Sequence, residues 1–121
     1  MWIFTKYGFL SVVNARKGFG EPGQPVDPER LMIRSRSRSH LERLQKRFSR
    51  LKDHAILSFA LSDYPFRIFV EKSVWAEVMK ELAVELSYDN FKTAVAKEPN
   101  SSVYENCLHD VWAIMRRLEN S

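Results

Sequence analysis

Residues 31–37 alternate: Leu31 and Ile33 point one way, and Met32, Arg34 and Arg36 point the other. A period of two is the mark of a strand with one apolar and one polar face. The same alternation returns at 66–71, where Phe66, Ile68 and Val70 share a face and Arg67, Phe69 and Glu71 share the opposite one. Residues 55–61 form a second strand before it, across the turn composition Ser62-Asp63-Tyr64-Pro65. At the start of the chain, residues 1–5 and 9–16 are rich in aromatic and β-branched side chains around Lys6-Tyr7-Gly8. That predicts one bent strand or a hairpin. Residues 17–29 hold three glycines and three prolines and read as loop. A loop of that length is either functional or mobile.

Between and after these stretches the period becomes helical. Ser39 with Glu42 three positions on has capping-box spacing, and Leu41, Leu44, Phe48 and Leu51 follow at helical intervals, predicting a helix over 40–51. Ser73 heads a second helix reaching residue 86, with Val74, Trp75, Val78, Met79, Leu82 and Leu86 on its apolar stripe. Asp89 is placed to cap a short helix carrying Phe91, Ala94 and Val95, which Glu98-Pro99-Asn100-Ser101 interrupts. Ser102 with Glu105 forms another capping box, and the last helix carries Val103, Tyr104, Cys107, Leu108, Val111, Trp112, Met115 and Leu118 on a wide stripe. Trp75 and Trp112, on helix stripes, are expected in the core.

The order is ββα, ββα, then two helices. It predicts a single α+β domain over 1–121, with a ββαββα core at 1–87 and a helical extension at 88–121. The expected architecture is a ferredoxin-like antiparallel sheet with helices mainly on one face. The two C-terminal helices either extend that helical layer or cover the other sheet face.

Composition supports a globular, soluble chain: 121 residues, 45% hydrophobic and 28% charged. Such a length buries roughly 65% of the surface of its unfolded chain. The one cysteine, Cys107, forms no intramolecular disulfide and fits a reducing, cytoplasmic setting. No apolar run approaches the ~18–20 residues of a membrane span. Residues 1–13 are mostly apolar, but no basic segment precedes them and Lys6-Tyr7-Gly8 interrupts them, so a buried strand explains them better than a signal peptide.

Met1-Trp2-Ile3-Phe4-Thr5 with Gly8-Phe9-Leu10-Ser11-Val12-Val13, Tyr88-Asp89-Asn90-Phe91-Lys92 and Leu108-His109-Asp110-Val111-Trp112 resemble small hypothetical proteins of bacteria and their phages. The resemblance spans most of the chain. It implies a bacterial or phage origin and carries over no activity and no functional residue.

Charge changes the picture most. Residues 1–52 hold 12 Lys+Arg against 4 Asp+Glu, a net of +8; residues 53–121 hold 7 against 11, a net of −4. Residues 30–52 alone carry nine basic side chains and one acidic, Glu42. The run Arg34-Ser35-Arg36-Ser37-Arg38-Ser39 is the end of a strand and a helix entry, too short for a disordered Arg/Ser tail. Arg34 and Arg36 project from one face, and guanidinium forks suit phosphates and carboxylates. With Arg38, Arg43, Lys46, Arg47 and Arg50 they form a candidate anion-binding strand–helix face. Phe69 and Arg67 are expected beside Met32, Arg34 and Arg36 on the open side of the sheet, as in RNA-recognition platforms that stack bases. The opposing expectation is that a C-terminal helix or a second subunit covers Phe69. Lys17-Gly18-Phe19-Gly20 begins like an RNA-recognition octapeptide but runs into Glu21-Pro22-Gly23, which breaks any strand. Phe19 remains a candidate exposed loop contact.

Catalytic chemistry is poorly represented. His40, His54, His109, Asp110, Asp53 and Cys107 form no sequence constellation: neighbours such as Asp53-His54 and His109-Asp110 point apart, and Cys107 sits on the apolar stripe, expected in the core. No His pair has metal-ligand spacing, and no phosphate loop or nucleophile elbow occurs, so no metal, cofactor or catalytic residue is assigned. The chain reads as a binding protein for an anionic partner, nucleic acid as the first choice and an acidic protein surface as the other. A protein-interaction module, such as a phage-encoded modulator of a host component, is the alternative, and a small enzyme using His40 or His54 the third. Trp2, on an edge strand, is placed to reach a partner or a second copy. The deciding question is whether Arg34 and Arg36 stand open or are answered by the acidic half of the chain.

Overall fold

A computed structural model describes residues 1–18 and 21–121. The described residues form two compact units, Met1–Leu86 and Ser87–Ser121. The first contains strands β1 (Trp2–Thr5), β2 (Gly8–Arg16), β3 (Val26–Ser35), β4 (Leu57–Ser58) and β5 (Phe66–Glu71), with helices α1 (Arg38–Arg47) and α2 (Lys72–Glu85). The second contains α3 (Phe91–Ala96) and α4 (Ser102–Met115), the latter followed by a 3-10 turn at Arg116–Asn120.

The sheet is antiparallel throughout, in the order β1-β2-β3-β5-β4. The chain is therefore α+β, but this order does not confirm the ferredoxin-like ββαββα arrangement. The opening stretch is a hairpin of two strands, because Lys6-Tyr7 closes a two-residue turn between the paired Thr5 and Gly8. Thr5 Oγ1 accepts from the backbone N–H groups of Tyr7 and Gly8 at 3.1 and 3.2 Å, which fixes that turn.

Other boundaries also move. β3 starts at Val26, inside the expected loop, and runs through Pro28. The β2–β3 register slips between Asn14↔Leu31 and Arg16↔Val26, so Pro28 lies in a bulge where no ladder needs its missing N–H. Asp27 pins the bulge, accepting from Glu29 N–H at 2.9 Å and Arg30 Nε at 2.8 Å. β4 is confined to Leu57–Ser58 rather than 55–61.

The expected caps are each displaced. Ser37, not Ser39, precedes α1, and Glu42 pairs with Arg38 at 3.1 Å instead of closing a capping box. α2 begins at Lys72 after Glu71, so Ser73 is inside it. Asn90 rather than Asp89 caps α3, accepting from Thr93 N–H at 2.9 Å, and Ser101 rather than Ser102 precedes α4.

The pleat builds the core of the first unit. Leu10 and Val12 of β2, Ile33 of β3, and Ile68 and Val70 of β5 meet Leu41 and Leu44 of α1, Phe48 and Leu51 just beyond it, and Trp75 and Val78 of α2. Both helices thus lie on one face of the sheet, as their apolar stripes require. Leu86, expected on the α2 stripe, is exposed at the helix end.

In the second unit Val95, Tyr104 and Leu108 are buried. Most of the rest of the wide α4 stripe is exposed: Val103, Cys107, Trp112, Met115 and Leu118, with Val111 half-buried. This corrects the expected core positions of Cys107 and Trp112. The six-residue α3 is too short to cover a fourteen-residue partner helix, so only part of the stripe is buried. Trp112 is instead flanked by cations, with Lys92 Nζ 4.7 Å and the Arg116 guanidinium 5.7 Å from its ring centre.

Candidate functional site

Because Ile33 and Ile68 turn into the core, Arg34 and Arg67 turn to the sheet's second face, which α1 and α2 leave uncovered. The strand register aligns one row across the sheet on that face: Trp2↔Ser11↔Arg34↔Arg67↔Leu57. Beside it run Phe4↔Phe9 on one side and Val13↔Met32↔Phe69 on the other.

The row places two guanidinium groups directly opposite each other, an arrangement that repels. Neutral groups hold them. Arg34 Nη2 donates to Ser11 Oγ at 2.8 Å, and its guanidinium carbon lies 4.6 Å from the centre of the Tyr64 ring. Arg67 Nη2 donates to Ser62 Oγ at 2.9 Å and to the Tyr64 carbonyl at 3.1 Å, and the group stacks 4.4 Å from the Phe59 ring. Arg36 joins them from beyond the strand end, its guanidinium carbon 4.9 Å from the centre of the same Tyr64 ring and its Nη1 donating to the Asp63 carbonyl at 2.8 Å. Burial, and then the Arg34 charge, push the Arg67 pKa below the usual arginine range, and the Asp63 carboxylate, beyond ion-pair distance, opposes them only in part. The Nε atoms of Arg34 and Arg67 are buried without an acceptor. Among the described residues, no carboxylate lies within ion-pair distance of Arg34, Arg36 or Arg67.

Aromatic rings continue the face towards β1. Phe4 stacks on Phe9 with centroids 4.7 Å apart, Trp2 meets Phe9 edge-on at 5.8 Å, and Phe9 lies 6.3 Å from Tyr64. Trp2 is 69% exposed and Phe4 37%. At the other end Phe69 is half-buried under the Arg30 guanidinium, 5.1 Å from its ring centre. Val13, Met32, Asn14, Arg16 and Val26 line a shallow cavity of about 300 Å³ nearby.

The predicted basic residues do not share one surface. Arg34 and Arg36 lie on the second face. Arg38, Arg43, Lys46 and Arg47 belong to α1, which packs on the first, and Arg50 to the turn after it. There the acidic half of the chain answers them: Arg47 meets Glu85 at 2.6 Å and Arg50 meets Glu81 at 3.0 Å, both on α2. Glu85 also accepts from the Tyr7 hydroxyl at 2.8 Å, and burial with this bond raises the Tyr7 pKa to about 12. Phe19 lies outside the described residues. Sequence reasoning missed Phe4, Phe9 and Tyr64. The first two carried a signal, since a two-residue hairpin at Lys6-Tyr7 places Trp2 and Phe4 on one face and Phe4 opposite Phe9. Tyr64 read only as a turn residue.

Each histidine faces a separate partner: Phe9 N–H for His40, Glu71 for His54 and, at 4.0 Å on the same helix, Glu105 for His109. His40 Nδ1 accepts from Phe9 N–H at 3.2 Å, and burial together with the Arg43 charge lowers its pKa, so the neutral ring is the acceptor. Its ring fills the space over Gly8, where an added Cβ would come within 2.3 Å, and this is why glycine stands there. His54 Nε2 lies 3.4 Å from Glu71, but its Nδ1 is buried without a partner, so no nucleophile is bonded to the pair. His109 and Cys107 are exposed on α4. Among the described residues, no three His, Cys, Asp or Glu side chains gather as a metal site, and no helix is long and apolar enough to cross a membrane.

No protein-family model matches the chain, and neither a curated protein nor a solved structure matches it.

Proposed function

We propose that the second sheet face binds single-stranded nucleic acid. Arg34, Arg36 and Arg67 contact phosphates, and Trp2, Phe4 and Phe9 offer apolar surface to unpaired bases. One observation carries the reading: among the described residues, three guanidinium groups stand together with no carboxylate within ion-pair distance, beside exposed aromatic rings. A half-buried, mutually repelling arginine pair, with both Nε atoms buried, is costly unless an anion offsets it. A broad, gently pleated face does not enter a duplex groove as a helix does, whereas splayed bases stack on such a face. The reading keeps Arg34 and Arg36 from the sequence expectation and gives the basic residues of α1 and the following turn a smaller part, because α2 neutralises Arg47 and Arg50. It implies little base-specific readout.

The test is anisotropy of labelled single-stranded DNA and RNA against salt. Three phosphate contacts give a log–log slope of roughly −2, a roughly twentyfold loss of affinity between ~50 and ~200 mM salt. Absence of binding to either strand type at ~50 mM salt would falsify the proposal and leave an acidic protein surface as the partner to seek.

A further inference from the structure

β1 is the outer strand of the sheet, and its hydrogen-bonding phase is fixed. The Met1 amino group donates to the Val12 carbonyl, and Val12 N–H donates back to the Met1 carbonyl, each at 2.8 Å. In an antiparallel ladder bonded and non-bonded pairs alternate, so Met1, Ile3 and Thr5 turn their backbone groups towards β2. Trp2 and Phe4 turn theirs outward. The free edge thus offers two N–H and two C=O groups at consecutive bonding positions.

Proteins ordinarily blunt such an edge with a charge, a proline, a bulge or extreme shortness. The opposite edge is blunted, since β4 spans Leu57–Ser58 alone. β1 is not: Trp-Ile-Phe-Thr contains no charge and no proline, and its register with β2 is unbroken. Its outward groups are also self-complementary. With a twofold axis at Ile3, Trp2 of one chain lies opposite Phe4 of another, both in bonded positions, and every outward group of both strands is used. Shifting the register by two residues leaves a single bonded pair. On the second face this alignment sets Trp2 against the copy's Phe4, a favourable cross-strand aromatic pair. On the helix face it sets Ile3 against Ile3.

We infer that the protein forms a twofold dimer through β1, pairing antiparallel about Ile3 to make one continuous sheet. The occupant of the edge is a second copy of this chain. The aromatic clusters of the two copies then meet at the centre of the shared face, with Arg34 and Arg67 flanking on either side. The inference rests on strand register and does not depend on the nucleic-acid reading; oligonucleotide binding by a monomer would leave that reading standing and overturn this one.

Sedimentation of the full chain from ~1 to ~500 µM tests it, a range in which a small interface dissociates. Wild type should pass from monomer to dimer and stop there, because the pairing consumes both β1 edges. Phe4→Pro deletes an outward N–H that β2 does not use, so it should keep the far-UV spectrum of the wild type and stay monomeric. Phe4→Ala, which retains the N–H, should weaken the dimer by a smaller factor. In a Cys107→Ser background, Ile3→Cys should cross-link to itself on mild oxidation while Thr5→Cys should not, a readout that holds even if Phe4→Pro misfolds. A monomer at every concentration, a dimer indifferent to Phe4→Pro, growth beyond the dimer, or equal cross-linking at both positions would each overturn the inference.

Discussion

Arg34 and Arg36 sit close in sequence to Arg47 and Arg50, yet the fold gives the two pairs opposite electrostatic settings. Arg47 and Arg50 meet Glu85 and Glu81 on α2, so their charges close on the chain's own acidic half. Arg34 and Arg36 share the Tyr64 ring, with Arg67 opposite Arg34 and no carboxylate within pairing distance among the described residues. The difference comes from where each pair sits: Arg34 is on β3 and Arg36 just past its end, whereas Arg47 ends α1 and Arg50 lies in the turn after it, both within reach of α2. One residue's shift along β3 decides whether a side chain faces the helices or the uncovered side. A charge run is therefore not a charged surface, and its members must be sorted by what answers each of them.

The largest expected contrast is in oligonucleotide affinity. Arg34→Ala with Arg67→Ala should reduce the salt slope by roughly 1.4 and, at ~50 mM salt, lower affinity roughly fiftyfold, as loss of two single-strand phosphate contacts implies. Arg47→Ala with Arg50→Ala removes the same formal charge and should change affinity by only about twofold, since those charges are already neutralised locally. Equal losses in the two double variants would erase the distinction between the faces.

Next comes stability on the paired side. Glu85→Ala leaves the buried Tyr7 hydroxyl without its acceptor and should cost about 1–3 kcal/mol in denaturant unfolding, most of it from Tyr7 rather than from half-exposed Arg47. The pH dependence has a definite sign. The Tyr7 pKa is raised from 10.0 to about 12 in the folded state, so between those values the folded chain holds a proton the unfolded chain has lost. This contribution is complete below pH 10 and disappears as pH rises towards 12. Glu85→Ala should flatten that decline. An unchanged slope would remove Glu85 as a cause of the shift.

Tyr64→Leu should act on the unpaired side with a smaller effect. The ring holds Arg34 and Arg36 at 4.6 and 4.9 Å, and each contact is worth about 0.5–1 kcal/mol. Losing both lets the guanidinium groups spread under their mutual repulsion. Affinity should fall roughly three- to tenfold if the ring presets the two groups for an anion. A variant that binds as wild type does would show that the arginines need no such support.

What the sequence made legible follows from the range of each interaction. The alternations at 31–37 and 66–71 report their own pleat, so β5, the central part of β3 and the outward aim of Arg34 and Arg67 could be read locally. The ion pairs could not, because Glu85 and Glu81 lie 38 and 31 residues from their arginines and meet them only once α1 and α2 pack side by side. The Trp112 expectation failed for a related reason: helical periodicity shows that a stripe is apolar but not what covers it. Serine spacing misled the caps because Ser37, Ser39, Ser73 and Ser102 each satisfy the composition of a helix start, and the backbone turns one or two residues away from the one chosen. Tyr64 gave no signal, since a turn residue acquires its role only from the strands beside it.

The smallest effect makes the strictest control. Arg38 lies at the corner between the two faces, at the first position of α1, and pairs with Glu42 one turn on, with both side chains more than half exposed. A solvated i,i+4 pair of this kind contributes about 0.3–0.5 kcal/mol, and Arg at a helix N-terminus is opposed by the helix dipole. Arg38→Ala should therefore shift unfolding stability by less than about 0.5 kcal/mol. Its effect on oligonucleotide affinity decides where the anion-binding surface ends. If Arg38→Ala leaves the salt slope unchanged, the surface stops at Arg36 and coincides with the arginines that lack a carboxylate. If the slope drops as it does for Arg34→Ala, the nucleic acid turns the corner onto α1, and pairing with Glu42 does not suffice to withdraw an exposed arginine from binding.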